Sequence, residues 1–581
     1  MIELILSLKK YSDGAKRWLY LNIISAFFSN VCILINPLLI GLIIKRSIGV
    51  NNVDFKYAII MLVIVAILYI IGNCLLWFSQ YCSNNYSTMV IKEIRKKAFN
   101  TITNTPFSYL DKMQTGDIMA RFSKDADLIY DALSHFFMHF FGGITVILFS
   151  LIIMFYLNVY LTIIILLMVP VILIYSAVTK KKRNERFFNL QKLMGKLTEN
   201  SKEAFDNKKL IEAYNYQEKV KERFDEINDS LAVVGESAYF AASINNPTYR
   251  LLTNITYALL GLTSIILNLY GSKVEISTLT SMIMYAAIFA KPFNNFSVLS
   301  ENFMAGRAGV IRIKEILDLD VEKEEIKFNL EDKATLGDIE FKSVKFSYDE
   351  KKELINNFNL KIKPGQKVAI VGKTGSGKST IINLLIRFYN VNDGEILLDG
   401  KNIKDYNRKI LRLSFGLVLQ EPWLFGGSIK DNIKYGKNDA SLNEVIKAAK
   451  KAHCHDFIMM QKDGYDTILK DNNNLSLGQK QLITVARAIL IDPAILILDE
   501  ATSNIDSLME REIQKAFKDV MSKKTTFIIA HRLKTIVDCD VIIVMDKGKI
   551  VETGTHSKLM EKDGFYKKLY NSQFIGQEIV E

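Results

Sequence analysis

Gly372-Lys373-Thr374-Gly375-Ser376-Gly377-Lys378-Ser379-Thr380 is the stretch on which the reading of this chain turns. It follows the apolar run Val368-Ala369-Ile370-Val371 and opens a segment, Ile381 to Phe388, with helical apolar spacing. Strand before and helix after are the context in which G-x-x-x-x-G-K-[ST] marks a phosphate-binding loop. The glycines let successive backbone N–H groups turn toward phosphate oxygens, and the helix N-terminus behind them adds its positive end. Lys378 is placed to reach the β- and γ-phosphates, and Ser379 to hold Mg²⁺. The spacing predicts a nucleoside-triphosphate site, which leaves open what its energy drives.

The first half of the chain bears on that question. Six apolar runs precede residue 310: Trp18–Ile44, Tyr57–Tyr81, Phe136–Leu157, Leu161–Val178, Leu251–Tyr270 and Ile276–Phe296. Each is about long enough to cross ~30 Å of hydrocarbon as a helix. Read as buried helices of a soluble protein, they would leave too little polar surface. Short connections at Asn158-Val159-Tyr160 and Gly271–Glu275 face one side; Cys82–His135 and Thr179–Arg250, long and rich in Lys and Arg, face the other. With Lys9, Lys10, Lys16 and Arg17 also basic, the positive-inside rule puts the N-terminus and both long connections in the cytoplasm. Lys45, Arg46 and Lys56 run against it, since they fall outside. Both long connections keep helical periodicity, and ~20 residues of helix on each limb would project ~30 Å beyond the membrane.

Composition agrees. A chain of 581 residues is too long for one core, and 49% of it is hydrophobic, crowded into the first half. Lys and Arg outnumber Asp and Glu by 74 to 62, but the basic residues flank apolar runs. No aromatic-basic stacking platform is visible, so nucleic acid is not expected as a partner. Cys32 and Cys74 lie in apolar runs, Cys82 just past one, and Cys454 and Cys539 in the second half, with no disulfide-framework spacing. A reducing compartment fits. Met1 to Arg17 is short, amphipathic and basic, without the cleavage site of a signal peptide.

Arg307 to Asp332 is charged, helical and then broken, and reads as a linker. From Gly337 the pattern becomes alternation, as in Ile339-Glu340-Phe341-Lys342-Ser343-Val344-Lys345-Phe346 and Phe358-Asn359-Leu360-Lys361-Ile362, which predicts strands. Beyond the phosphate loop, the buried-strand run Ile495-Leu496-Ile497-Leu498 ends in Asp499-Glu500. Asp499 suits a Mg²⁺ ligand and Glu500 a group that orients or deprotonates the attacking water. The expected architecture is an all-α membrane domain of six helices with long cytoplasmic extensions (1–310), a linker (311–336), and an α/β P-loop ATPase domain with an antiparallel β subdomain (337–581).

These residues, with further motifs in the right order, carry a resemblance to ATP-binding cassette exporters of the multidrug and lipid type, in half-transporter form. The resemblance covers nearly the whole chain. Tyr348 matches the aromatic residue on which adenine stacks, and Gln420 the glutamine that contacts Mg²⁺ and the attacking water. Leu475-Ser476-Leu477-Gly478-Gln479 matches the family signature, Ser503-Asn504-Ile505-Asp506 the loop after the two carboxylates, and His531 the switch histidine at the γ-phosphate. Thr105–Asp111 resembles the first coupling helix, and Asn207–Tyr216 should hold the second. The resemblance implies an obligate dimer, because Ser476, Gly478 and Gln479 would cap the ATP held by the opposite subunit. It further implies a multi-pass protein of the inner or plasma membrane, nucleotide domain in the cytoplasm. ATP hydrolysis would drive a drug-like, lipid or peptide cargo outward by alternating access. Importers generally keep membrane and ATPase subunits as separate chains, so the fusion disfavours that direction.

Two departures qualify the match. The signature usually has Gly where Leu477 stands, and Leu both restricts φ and adds bulk. The segment Thr467–Asn474 lacks the Gly-Glu-x-Gly pattern common in homodimeric members. With Glu500 intact, the combination favours a heterodimer over a homodimer; the alternative reading is an ATP-binding regulatory half with little hydrolysis of its own. Among weaker signals, Lys291 beside Pro292, and Arg250 near Pro247, are candidates for a polar pathway and an anionic cargo. His135 and His139 stand at i, i+4 without an acidic or thiol neighbour, which disfavours a metal. His453-Cys454-His455 reads as surface.

Overall fold

The computed structural model describes residues 10–47, 54–322, 326–327, 329–334, 336–349, 353–469, 475–500, 507–530 and 536–574. They form two compact units, residues 1–103 with 114–319, and residues 104–113 with 320–581.

The first unit is helical throughout. Helices α1 (Lys16–Ser47) and α2 (Phe55–Asn104) are followed by α3 (Phe107–Leu110), which belongs to the second unit, and α4 (Thr115–Ala120). A π-helical turn at Arg121–Asp125 leads into α5 (Ala126–Leu157), then α6 (Val159–Asp206), α7 (Lys208–Ala213), α8 (Gln217–Ser243), α9 (Asn245–Leu269) and α10 (Ile276–Leu317). Among the described residues, six helical segments are long and apolar enough to cross a membrane. The helical extensions expected from periodicity are present, since α2 continues from Tyr81 to Asn104 and α6 from Val178 to Asp206. Between α5 and α6 the chain turns on Asn158 alone, whose side-chain carbonyl accepts a hydrogen bond from the Leu161 amide at 3.1 Å.

Small and polar side chains set the helix spacing, as they must where apolar burial does not distinguish protein from lipid. Asn22 donates to the Ser79 carbonyl at 2.8 Å, Ser29 to the Gly72 carbonyl at 2.8 Å, and Asn30 to the Gly142 carbonyl at 3.1 Å. Close approach of α5 and α10 depends on glycine: a Cβ on Gly306 would collide with Ala132, and one on Gly309 would lie 2.8 Å from the Asp125 carbonyl. Two of the three outward cations that ran against the positive-inside pattern have partners, Lys45 pairing with Glu275 at 2.9 Å and Arg46 lying 4.5 Å from the Tyr57 ring centroid. Helix α10 runs on to Leu317, where Ile313 and Ile316 bury an apolar stripe.

In the second unit, β1 (Ile339–Phe346), β2 (Ile355–Ile362), β4 (Asp393–Leu398) and β5 (Lys401–Asn402) form an antiparallel sheet in the order β2-β1-β4-β5. The larger sheet contains β3 (Lys367–Gly372), β6 (Phe415–Val418), β9 (Ile495–Glu500), β10 (Thr525–Ala530), β11 (Val541–Asp546) and β12 (Lys549–Gly554), in the order β12-β11-β3-β10-β9-β6. In this sheet only β12 runs antiparallel to its neighbour, and the short strands β7 (Gly427–Ser428) and β8 (Ile468–Leu469) pair separately. Alternation along β3 sorts the core: Val368 and Ile370 face one cluster with Phe341, Ile381 and Leu385, while Ala369 and Val371 face another with Val485, Ile513 and Ala516. Both faces are therefore covered, as a parallel sheet requires. Cys454 is fully buried in the second cluster, correcting its surface reading. The αL turn at His453 points it inward, toward Ala449.

Candidate functional site

The phosphate loop leaves the carboxyl end of β3 and enters α11 (Lys378–Leu385). Gly377 caps α11 at φ +98°, a left-handed backbone that disfavours any other residue, and a Cβ on Gly372 would strike the Met545 carbonyl. The register aligns neighbouring strand ends: Ile370 pairs with Ile529, Ile529 with Asp499, and Ala530 with Glu500. Thus β3, β10 and β9 end together, with the loop and Asp499 at one edge, where open α/β sheets place their ligands. His531 and Asp506 lie outside the described residues; for Glu500 the backbone alone is described.

The loop's side chains fit a nucleoside triphosphate with Mg²⁺. The Lys378 ammonium is folded back on the loop, 2.8 Å from the Gly372 carbonyl and 3.0 Å from that of Lys373. Burial pushes its pKa below the usual lysine value, opposed by the nearby Asp499 carboxylate, so Lys378 and Asp499 share the site. The Ser376 hydroxyl is buried without a hydrogen-bond partner among the described residues, a group left for a ligand to satisfy. Lys373, Thr374, Gly375 and Ser379 are exposed around it, while Thr380 is buried.

Tyr348 follows β1, its hydroxyl donating to Thr380 Oγ1 at 3.2 Å and accepting from Asn383 Nδ2 at 3.4 Å. Its ring is held edge-on by Tyr389 at 4.9 Å and Phe346 at 4.9 Å. Tyr389, 8% exposed, donates its hydroxyl to Asp111 at 2.6 Å, and Phe107 packs on Phe388 at 5.0 Å. The short helix α3 is thus docked beside the aromatic platform. Periodicity could not have found this; Tyr389 was one aromatic among many.

Gln420 is exposed just past β6, and the preceding Leu419 carbonyl accepts from Gln481 Nε2 at 3.2 Å. Gln481 belongs to the signature helix, Leu477–Ile491. Ser476 caps that helix in a reciprocal box: the Gln479 amide reaches Ser476 Oγ at 3.2 Å, and the Ser476 amide reaches Gln479 Oε1 at 3.0 Å. Gly478 is buried in the first turn. Leu477 is the first helical residue and is absent from the positive-φ positions, so the expected φ conflict does not arise. Its bulk remains: the side chain is 41% exposed at the helix start.

In the first unit, His135 and His139 stack at 5.9 Å on α5, and His139 interacts electrostatically with Lys291 of α10. Two signals that the sequence kept apart meet at one helix crossing, where Gly143 abuts Pro292 and Phe296. Arg250 is exposed on α9. No group of three or more metal-ligating side chains occurs among the described residues.

Comparison with known proteins bears on both units. The family described as "ABC transporter transmembrane region" matches residues 19–293, and that described as "ABC transporter" matches residues 355–503. The chain is 34% identical over 553 residues to the uncharacterized ABC transporter ATP-binding protein YfiC of Bacillus subtilis, covering 95% of this chain and 90% of that protein. It is 33% identical over 533 residues to an ATP-dependent lipid A-core flippase of Haemophilus influenzae, covering 91% and 90%. To a fatty acid ABC transporter ATP-binding/permease protein of Mycobacterium tuberculosis it is 32% identical over 517 residues, covering 89% and 82%.

Proposed function

This chain belongs to the ATP-binding cassette transporter family, as a multi-pass, ATP-driven exporter half, and from that premise we propose that it is the hydrolysing half of a heterodimer. Half-transporters of this family dimerise; the finer choice of partner rests on Leu477. The P-loop, Asp499 and Glu500 are complete, whereas the signature helix presents a leucine side chain where the opposite subunit's γ-phosphate would come. The better site would then pair this chain's loop with a partner's signature.

The roles follow from position. Lys378 turns from the Gly372 and Lys373 carbonyls to the β- and γ-phosphates, and the loop amides orient the chain of phosphates. Tyr348 holds the base against the edge supplied by Tyr389. Ser379, Gln420 and Asp499 would hold Mg²⁺, which supplies charge neutralisation at the phosphates when bound. In the roles that the family resemblance gives them, Glu500 takes the proton of the attacking water, His531 steadies the γ-phosphate and Asp506 serves the nucleotide site.

For the cargo we infer an anionic amphiphile. Lys291 places a cation within the span, beside the stacked imidazoles of His135 and His139 and the aromatic residues Phe136, Phe140 and Phe296. Membrane-embedded ionisable groups are costly and commonly mark a substrate path. Two of the relatives are named for lipid A-core and fatty acid, both amphiphiles with acidic groups.

The deciding experiment is MgATP hydrolysis by this chain alone in nanodiscs, beside Glu500→Gln. ATP binding with near-zero turnover is expected. Robust turnover that vanishes in Glu500→Gln would instead establish a self-sufficient homodimer. Turnover of the complete dimer stimulated by acidic but not neutral amphiphiles, and lost in Lys291→Ala, would bear out the cargo class; equal stimulation in Lys291→Ala would refute it.

A further inference from the structure

Away from both the phosphate loop and the His139–Lys291 crossing, the segment before α1 is tucked against α2. Ser12 and Ala15 are buried, and Tyr11, Trp18 and Leu19 join a core cluster with Tyr86, Val90 and Ile94 of α2. Trp18 meets Tyr81 edge-on at 5.8 Å, and Trp77 stacks on Tyr81 at 6.1 Å, an aromatic band of the kind found where helices enter the headgroup layer. On the cytoplasmic side of this band lie two cavities that share Lys10 and Tyr11 as walls.

Their chemistry differs. The larger, about 320 Å³, is walled by Lys10, Lys92 and Lys97, with Asp13 and Glu93. Asp13 is already engaged by Lys16 at 2.7 Å, which leaves Glu93 as the carboxylate facing the three lysines. The Lys10 and Lys97 ammonium groups lie 5.6 Å and 5.5 Å from the same Tyr11 ring centroid and interact with each other. Two like charges this close repel, and an anion between them turns that repulsion into attraction. The smaller cavity, about 210 Å³, is lined by Ile94, Ile129, Val310, Ile313 and Leu317. Apart from the shared Lys10, its charged lining residues are Lys314 and Asp318, which pair with each other at 3.9 Å. A cationic pocket thus lies beside a mainly apolar slot.

We propose that this paired cavity binds an anionic amphiphile, its acidic head among Lys10, Lys92 and Lys97 and its alkyl chain along Ile94, Ile129, Val310 and Ile313. The slot lies where the cytoplasmic extensions of α2, α5 and α10 meet, so an occupant bridges three helices. It is separate from the proposed cargo path, and the source of the ligand is either the inner leaflet or the cytoplasm; the head-and-tail chemistry is common to both.

The test uses the full chain in phosphatidylcholine nanodiscs with dodecyl phosphate as probe, and in phosphatidylglycerol nanodiscs followed by native mass spectrometry. Dodecyl phosphate should bind, methyl phosphate and dodecanol far more weakly. Lys10→Gln/Lys97→Gln should weaken binding by about tenfold or more, since each lysine near such a head contributes measurably. Val310→Trp, which fills the slot, should weaken dodecyl phosphate but leave the residual affinity for methyl phosphate. Lys291→Ala, which removes any share bound along the cargo path, should leave the loss caused by Lys10→Gln/Lys97→Gln undiminished, which separates this site from the cargo site. Phosphatidylglycerol retained by the wild type and lost in the lysine variant identifies the leaflet as source; dodecyl phosphate binding without retained lipid identifies the cytoplasm. Equal binding by wild type and lysine variant, or no binding of either probe, overturns the proposal.

Discussion

The Tyr389 hydroxyl stands 2.6 Å from a carboxylate oxygen of Asp111, and the same ring meets Tyr348 edge-on at 4.9 Å. One side chain thereby touches the short helix α3 and the aromatic residue beside the phosphate loop. Nearby, the Glu322 amide donates to the Asn104 carbonyl at 2.8 Å, and Arg408 pairs with Glu322 at 3.4 Å, so the segment is anchored at both ends.

A hydrogen bond to a carboxylate contributes ~1.5–3 kcal/mol. Tyr389→Phe should therefore release α3 while keeping the ring stack. Faster hydrogen–deuterium exchange at residues 107–111 is expected, with lower ATP turnover and little change in ATP affinity. Asp111→Asn should show the same trend more weakly. Burial first, then Asp111, raise the Tyr389 pKa, so the phenol keeps its proton. A group raised in the folded state supports stability below its unfolded value of ~10 and loses that support above it, so the tie should persist through neutral pH. Unchanged exchange in Tyr389→Phe would show that Phe107 alone docks the helix.

The buried, unpartnered Ser376 hydroxyl makes a second prediction. An unsatisfied buried polar group costs ~1–3 kcal/mol, which Ser376→Ala removes. Nucleotide-free protein should melt slightly higher in the variant, and the additional rise on adding ATP should shrink. A nucleotide-free melting temperature that falls would mean the hydroxyl has a partner in solution.

Glu444 tests the helical part of the second unit through pH. Lys437 at 2.6 Å, and after it the capping contacts of Ser441, hold its pKa down to about 2. A depressed carboxylate supports stability above its unfolded value of ~4.3 and loses that support as pH falls toward the folded value. Glu444→Gln should therefore melt below wild type at pH 7, with the gap narrowing between about pH 4.5 and 3. A gap that stays constant over that range would assign the effect to shape rather than charge.

Much of this was legible before any coordinates. The P-loop and the β9 carboxylates announce themselves because phosphate chemistry fixes residue type and spacing, and the six spans because hydrocarbon thickness fixes length. What stayed hidden depends on tertiary meeting. Tyr389 needed a partner 278 positions away, and His139 and Lys291 needed the glycine-mediated crossing of α5 and α10. Cys454 was misread because an αL turn at His453, which no periodicity reveals, points it into the core.

Leu477 carries the sharpest prediction because its backbone is blameless. It sits in ordinary helical geometry at the first turn, capped by Ser476 and Gln479, so glycine at this position relieves bulk without repairing any strain. Glycine near a helix start costs at most ~1 kcal/mol, too little to unfold a domain of this size. Leu477→Gly should therefore fold normally and uncover the amide-rich helix start to an opposing phosphate. In the chain expressed alone, ATP turnover should rise several-fold above a near-zero base, and adding Glu500→Gln should abolish the gain. Unchanged turnover in Leu477→Gly would place the deficit elsewhere in the signature region, in the residues just before Leu475. High turnover already present in the wild type would show that two copies of this chain close around ATP despite the leucine.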